Sequence, residues 1–110
     1  MFDCFGLCLA FYRDVFGFAL PIITPDAYLT AGRTDRVTRY GWRRAPDPPV
    51  GALVAMARGR VISHLGIFIG PHILHASAAH GTVMQLPQVI RAQSYKHITY
   101  YSHDAISDTD

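Results

Sequence analysis

Apolar residues crowd the start of the chain and then change their period. Phe5, Leu7, Cys8, Leu9, Phe11, Tyr12, Val15 and Phe16 fall around most of the circumference of a helix drawn from Asp3 to Phe16. Asp3 offers a side-chain oxygen to cap the first turn, and Gly17 the left-handed backbone that ends a helix. A helix so apolar all round is expected to be buried. Residues 18–50 carry no such period, because Pro21, Pro25, Pro46, Pro48 and Pro49 interrupt any long element. Within them Arg36, Arg39 and Arg43 would share one face of a short helix. From Ala52 the pattern turns to strands. Ala52–Ala57 and Val61–Ile69 flank a turn at Arg58-Gly59-Arg60. Ile73–Ser77, Gly81–Leu86 and His97–Tyr101 follow, with a helical turn at Gln88–Gln93, and the tail 104–110 is expected to fray. Helix, long loop and antiparallel meander predict one α+β domain over residues 1–110, with the helix packed on the sheet.

Composition narrows the classes of function. A chain of 110 residues has the size of one small domain. With 50% hydrophobic and 16% charged residues it is not a disordered solvating segment. A formal charge of +2 is too small for a dedicated nucleic-acid binder, whose phosphate contacts need a large basic excess. Arg33, Arg36, Arg39, Arg43 and Arg44 supply five of the ten basic residues and read as a solvated loop. Apolar runs such as Leu65–Gly70 fall far short of the ~20 residues of a membrane span. The N-terminus has Asp3 where a signal peptide carries its basic start, so the expected place of synthesis is the cytoplasm, without export by the usual route.

Two cysteines, Cys4 and Cys8, are too few for a disulfide scaffold and are expected as thiols. Cys4 takes the first helical position, where unpaired N–H groups and the helix dipole favour an anion and draw a thiol pKa below its usual ~8.5. The carboxylate of Asp3 opposes this unless it is engaged in capping. A cysteine there is either a small buried hydrophobe or a nucleophile, and Cys4 alone does not decide between them.

A second candidate lies in Ser63-His64-Leu65-Gly66-Ile67-Phe68-Ile69-Gly70. Alternation puts Ile62, His64, Gly66 and Phe68 on one face and Ser63, Leu65, Ile67 and Ile69 on the other. Gly66 is expected to clear room for an approaching helix end. A two-residue turn at Gly70-Pro71 would set Ile69 opposite His72, Phe68 opposite Ile73 and Gly66 opposite His75. His64 and His75 would then be diagonal neighbours, about 7–8 Å apart at Cα. In that register His75 can hold the His64 ring in one tautomer, as an orienting third residue does. A slip of one residue would send His75 to the other face. His72, His80, His97 and His103 read as surface or loop residues without a catalytic role. No cofactor is expected. One competing reading makes Cys4, Cys8, His64 and His75 a tetrahedral zinc set, although Cys-x-x-x-Cys on one helix is not the usual knuckle spacing.

These segments resemble, in order, those of the NlpC/P60 family of papain-like cysteine peptidases. Asp3-Cys4-Phe5-Gly6-Leu7 is similar to the family's Asp-Cys-x-Gly-Leu helix start. Ser63–Gly70 is close to its Ser-His-Val-Gly-Ile-Tyr-Ile-Gly strand, and Ile73-Leu74-His75-Ala76-Ser77 is like its apolar-His-Ala-Ser strand. The resemblance covers roughly residues 3–86, and three motifs in the right order make it specific. It implies a papain-like α+β fold in which the helix carries the nucleophile Cys4, His64 is general base and acid, and His75 orients it. It also implies hydrolysis of D-γ-glutamyl bonds to diaminopimelate or lysine in peptidoglycan stem peptides. The run from Phe11 to Pro21 looks most like the phage-tail and gene-transfer branch, which implies tail proteins as partners and a place in a virion or tail particle. The competing implication is an inactive structural tail domain of the same fold. Family members usually carry a segment before the Asp-Cys pair with a tyrosine lining the substrate site. The chain has only Met1-Phe2 before that pair, so the resemblance implies either a start that is missing or a site without that part. Gly51-Ala52-Leu53 stands where the family often has Gly-Asp-Leu.

Overall fold

A computed structural model describes residues 4–17, 42–59, 62–77, 81–93 and 95–103. Helix α1 (Cys4–Phe11) runs into a wider π-helical turn, Tyr12–Phe16. Six strands follow: β1 (Arg43–Arg44), β2 (Leu53–Ala57), β3 (Ile62–Phe68), β4 (Ile73–Ser77), β5 (Gly81–Gln85) and β6 (His97–Ser102). Helix α2 (Pro87–Gln93) lies between β5 and β6. The strands form one sheet in the order β1-β6-β2-β3-β4-β5, antiparallel throughout. The helix-plus-antiparallel-sheet architecture is the expected α+β class.

The middle of the sheet is buried on both sides. Every residue of β2 is buried, which is why Leu53–Ala57 reads as an unbroken small and apolar run. On one face Leu53, Ala55, Leu65, Ile67, Ala76 and Tyr101 pack with Leu7, Cys8, Tyr12 and Trp42. On the other, Val54, Met56 and Ile73 pack with Ile90 of α2 and with Phe68, Tyr95, Ile98 and Tyr100. The layers are therefore α1, sheet and α2. Each large side chain so enclosed contributes roughly 1.5–3 kcal/mol.

Several expectations are corrected. The α-helix ends at Phe11, and its last turn to Phe16 is π-helical rather than a continuation of one α-helix from Asp3. The widened turn accompanies a tight aromatic packing: Tyr12 stacks on Phe16 at 5.9 Å and meets Trp42 edge-on at 5.5 Å. The buried Tyr12 hydroxyl donates to the Gly51 carbonyl at 2.7 Å. Gly17, in the left-handed conformation at φ 69°, ends the helix as expected. The cap at Asp3 lies outside the described residues.

The stretch 18–50 is not wholly irregular, and Arg43 is not on a helix. Arg43 and Arg44 form the edge strand β1, opposite Ser102 and Tyr101 of β6. An edge strand needs only open N–H and C=O groups beside it, so its residues carried no apolar signal. Arg33, Arg36, Arg39, His80 and the tail 104–110 lie outside the described residues. The sheet is also not a plain meander. After β5 the chain crosses through α2, and β6 pairs with β2 at Leu53↔Tyr101 through Ala57↔His97. His103 follows β6 outside any strand or helix, as expected, and its ring packs edge-on against buried Trp42 at 5.0 Å.

A bulge in β3 breaks the predicted alternation. Met56 pairs with His64 but Ala57 pairs with Ile62, leaving Ser63 as an extra residue. Ile62 therefore turns to the α1 side of the sheet, away from His64. Gly66 also has a different role from the one expected. A Cβ there would lie 2.8 Å from Ile73 Cγ2, 2.9 Å from Met56 Cε and 2.9 Å from the Leu74 carbonyl oxygen. The glycine makes room for the packing of the α2 side and the approach of β4, not for a helix end.

Candidate functional site

The turn at Gly70-Pro71 sets the register on which the site depends. Ile69 N–H donates to the His72 carbonyl at 2.8 Å, and the ladder runs Phe68↔Ile73, Ile67↔Leu74, Gly66↔His75. His64, two residues before Gly66, is thus the diagonal neighbour of His75. Their rings meet edge-on, with His64 Nε2 and His75 Nδ1 3.0 Å apart. The same step repeats across the next strand pair. His75 faces Val83, Gln85 lies two residues on, and His75 Nε2 is 2.8 Å from Gln85 Oε1. Gln85 Nε2 donates to Gln93 Oε1 of α2 at 3.4 Å. One hydrogen-bonded line therefore crosses three strands and ends on a helix. His75 is buried with both ring nitrogens partnered, as a buried polar ring requires.

The half-buried His64 ring is enclosed from the side of β6. Tyr95 stacks parallel to it at 5.0 Å, and the Tyr95 N–H donates to the Ile90 carbonyl at the end of α2. The Arg58 guanidinium, from the end of β2, lies 4.9 Å from the centre of the Tyr95 ring. Burial first, then the like charges of His75 and Arg58, push the His64 pKa down from 6.5 to about 4. At neutral pH His64 is thus an uncharged ring that can take a proton. If His75 donates from Nε2 to Gln85, its Nδ1 accepts from His64 Nε2–H. The remaining lone pair of His64 is then on Nδ1.

Cys4 is the first residue of α1, and the helix packs on the sheet over β3 and β4. The side chain of Cys4 lies outside what the structure describes. Cys8, one turn on, is fully buried on the α1 side, with its Sγ 4.0 Å from the Gly66 carbonyl oxygen. His64 and His75 stand on the opposite side of the sheet from Cys8. That separation removes the four-residue zinc set, because ligands must converge within about 2–2.3 Å of one ion. Among the described residues no group of three His, Cys, Asp or Glu side chains is placed to hold a metal. Among them, too, no helix is long and apolar enough to cross a membrane.

Arg58, Gln85, Gln93 and Tyr95 join the site without belonging to any of the sequence motifs. Gln85 had a signal, since extending the β4–β5 hairpin by the diagonal rule that joins His64 to His75 reaches it. Tyr95 had none, because its place over His64 depends on the return of the chain through α2 to β2.

The model of the NlpC/P60 family matches residues 1–105 of the chain. No curated protein matches it.

Proposed function

The chain belongs to the NlpC/P60 family, and on that premise we propose that it cuts D-γ-glutamyl bonds to diaminopimelate or lysine in peptidoglycan stem peptides. The family consists generally of cysteine peptidases that act on peptidoglycan. The observation that carries the reading to named residues is the 3.0 Å contact between His64 Nε2 and His75 Nδ1 in this family member.

This reading requires the start of α1 to meet His64 although the body of the helix, with Cys8, lies on the other side of the sheet; there His64 Nδ1 takes the Cys4 thiol proton, and the thiolate attacks the amide carbon. The tetrahedral oxyanion is stabilised by N–H groups at the start of α1, that of Cys4 included. Collapse transfers the His64 proton to the leaving amine and leaves a thioester on Cys4. Water then gives a proton to His64 and hydroxide to the acyl carbon, which releases the acid and restores the thiol. His75 moves no proton and keeps the ring of His64 in place. The likeness of the Phe11–Pro21 run to tail-associated members favours local opening of the cell wall during DNA delivery, with tail proteins as partners.

The test is to incubate the chain with an L-alanyl-γ-D-glutamyl-diaminopimelate peptide and identify products by mass spectrometry. Cleavage on the carboxyl side of the D-glutamyl residue, lost in Cys4→Ala and His64→Ala, is expected. No cleavage by the unaltered chain, or undiminished cleavage by Cys4→Ala, overturns the proposal.

A further inference from the structure

We infer that Gln85 is a positioning residue which, braced by Gln93, fixes the His75 proton on Nε2 and so keeps His64 Nδ1 open as the base nitrogen. The catalytic consequence rests on the peptidase reading, whereas the proton placement does not.

Gln85 can present either end of its amide to His75, and the two ends have opposite effects. With Oε1 toward His75, His75 must donate from Nε2, so its Nδ1 is an acceptor. His64 then donates from Nε2 and leaves Nδ1 with a lone pair. With the NH2 end toward His75, Nε2 must accept, the His75 proton sits on Nδ1, and it points at His64 Nε2. His64 would then carry its proton on Nδ1 and have no base nitrogen to offer. That second arrangement also fails for a protonated His64, whose Nε2–H would meet the Nδ1–H of His75 head-on. Only the first arrangement serves both charge states. It is the one in the structure, with Oε1 2.8 Å from His75 Nε2 and the Gln85 Nε2 turned to the Gln93 side-chain Oε1. A single amide on β5 thus sets two rings, the further of them two strands away.

The test uses the chain labelled with nitrogen-15 in histidine, with long-range proton–nitrogen NMR correlations showing which ring nitrogen carries each proton. At neutral pH both His64 and His75 are expected as the Nε2–H form. A His75 proton on Nδ1 in the unaltered chain overturns the inference, whatever any variant does. Gln85→Glu, whose carboxylate can only accept, is expected to keep both tautomers and most of kcat. Gln85→Leu is expected to give mixed tautomers and to lower kcat about 10-fold or more with little change in KM. Unchanged tautomers in folded Gln85→Leu also overturn it. Mixed tautomers in Gln85→Leu, in a chain that cleaves no peptide, would uphold the positioning role while refuting the peptidase reading.

Discussion

Replacing Gly66 by alanine puts one methyl group where β3 and β4 come together beside the two histidines. The new carbon would lie 2.8 Å from Ile73 Cγ2, 2.9 Å from Met56 Cε and 2.9 Å from the Leu74 carbonyl oxygen. The Met56 end can swing aside, but Met56 and Ile73 are fully buried and have little space to move into. The Leu74 oxygen is backbone, and moving it means parting β4 from β3. Overpacking of this kind costs roughly 1–3 kcal/mol, and a backbone neighbour places the effect in the upper half. At about 2 kcal/mol the melting temperature of a domain of 110 residues falls by roughly 9 °C. Differential scanning calorimetry of Gly66→Ala against the unaltered chain reads it directly. The same parting lengthens the His64–His75 contact, so the ring-proton pattern of the folded variant should change as well. A melting temperature within about 2 °C of the parent, with the pattern intact, would refute the packing described for this strand pair.

The neutral, half-buried His64 makes stability depend on acid. Its pKa is held down to about 4 in the folded chain against 6.5 in the unfolded one, so its contribution is fully present above pH 6.5 and is lost as pH falls toward 4. With allowance for solvent screening the loss is on the order of 1–2 kcal/mol. Urea unfolding between pH 4 and 7 should show it, and His64→Phe should flatten the dependence; an equally steep variant contradicts the assignment. Arg58→Met removes one of the charges that hold His64 down, so the acid limb of kcat/KM should move up toward 6.5. An unmoved limb would mean that Arg58 does not act on His64.

The sequence is legible where local chemistry decides the structure. Glycine and proline punctuate Ile73–Ser77 and Gly81–Gln85, so alternation alone locates these strands. The register that joins His64 to His75 follows from one turn, Gly70-Pro71. Alternation puts Ile62 on the wrong face because a bulge at Ser63 has no composition of its own, only an uneven strand pairing. Arg43 and Arg44 give no strand signal because a sheet edge, and not their side chains, recruits them. Tyr95 reached His64 through a long-range crossover, for which periodicity carries no signal. Gln85 differs from these, since the diagonal geometry used for the histidine pair also leads to it once the next hairpin is counted.

In the proposed reaction Cys4 becomes covalently acylated while His64 moves its proton. The chain should therefore be quenched in acid during turnover of a γ-D-glutamyl-diaminopimelate peptide and mapped by mass spectrometry. The mass of the acyl fragment is expected on Cys4, localised by fragmentation of the peptide that also holds Cys8, with none on Cys8. Hydrolysis with the label elsewhere, or an adduct that survives in Cys4→Ala, would contradict it.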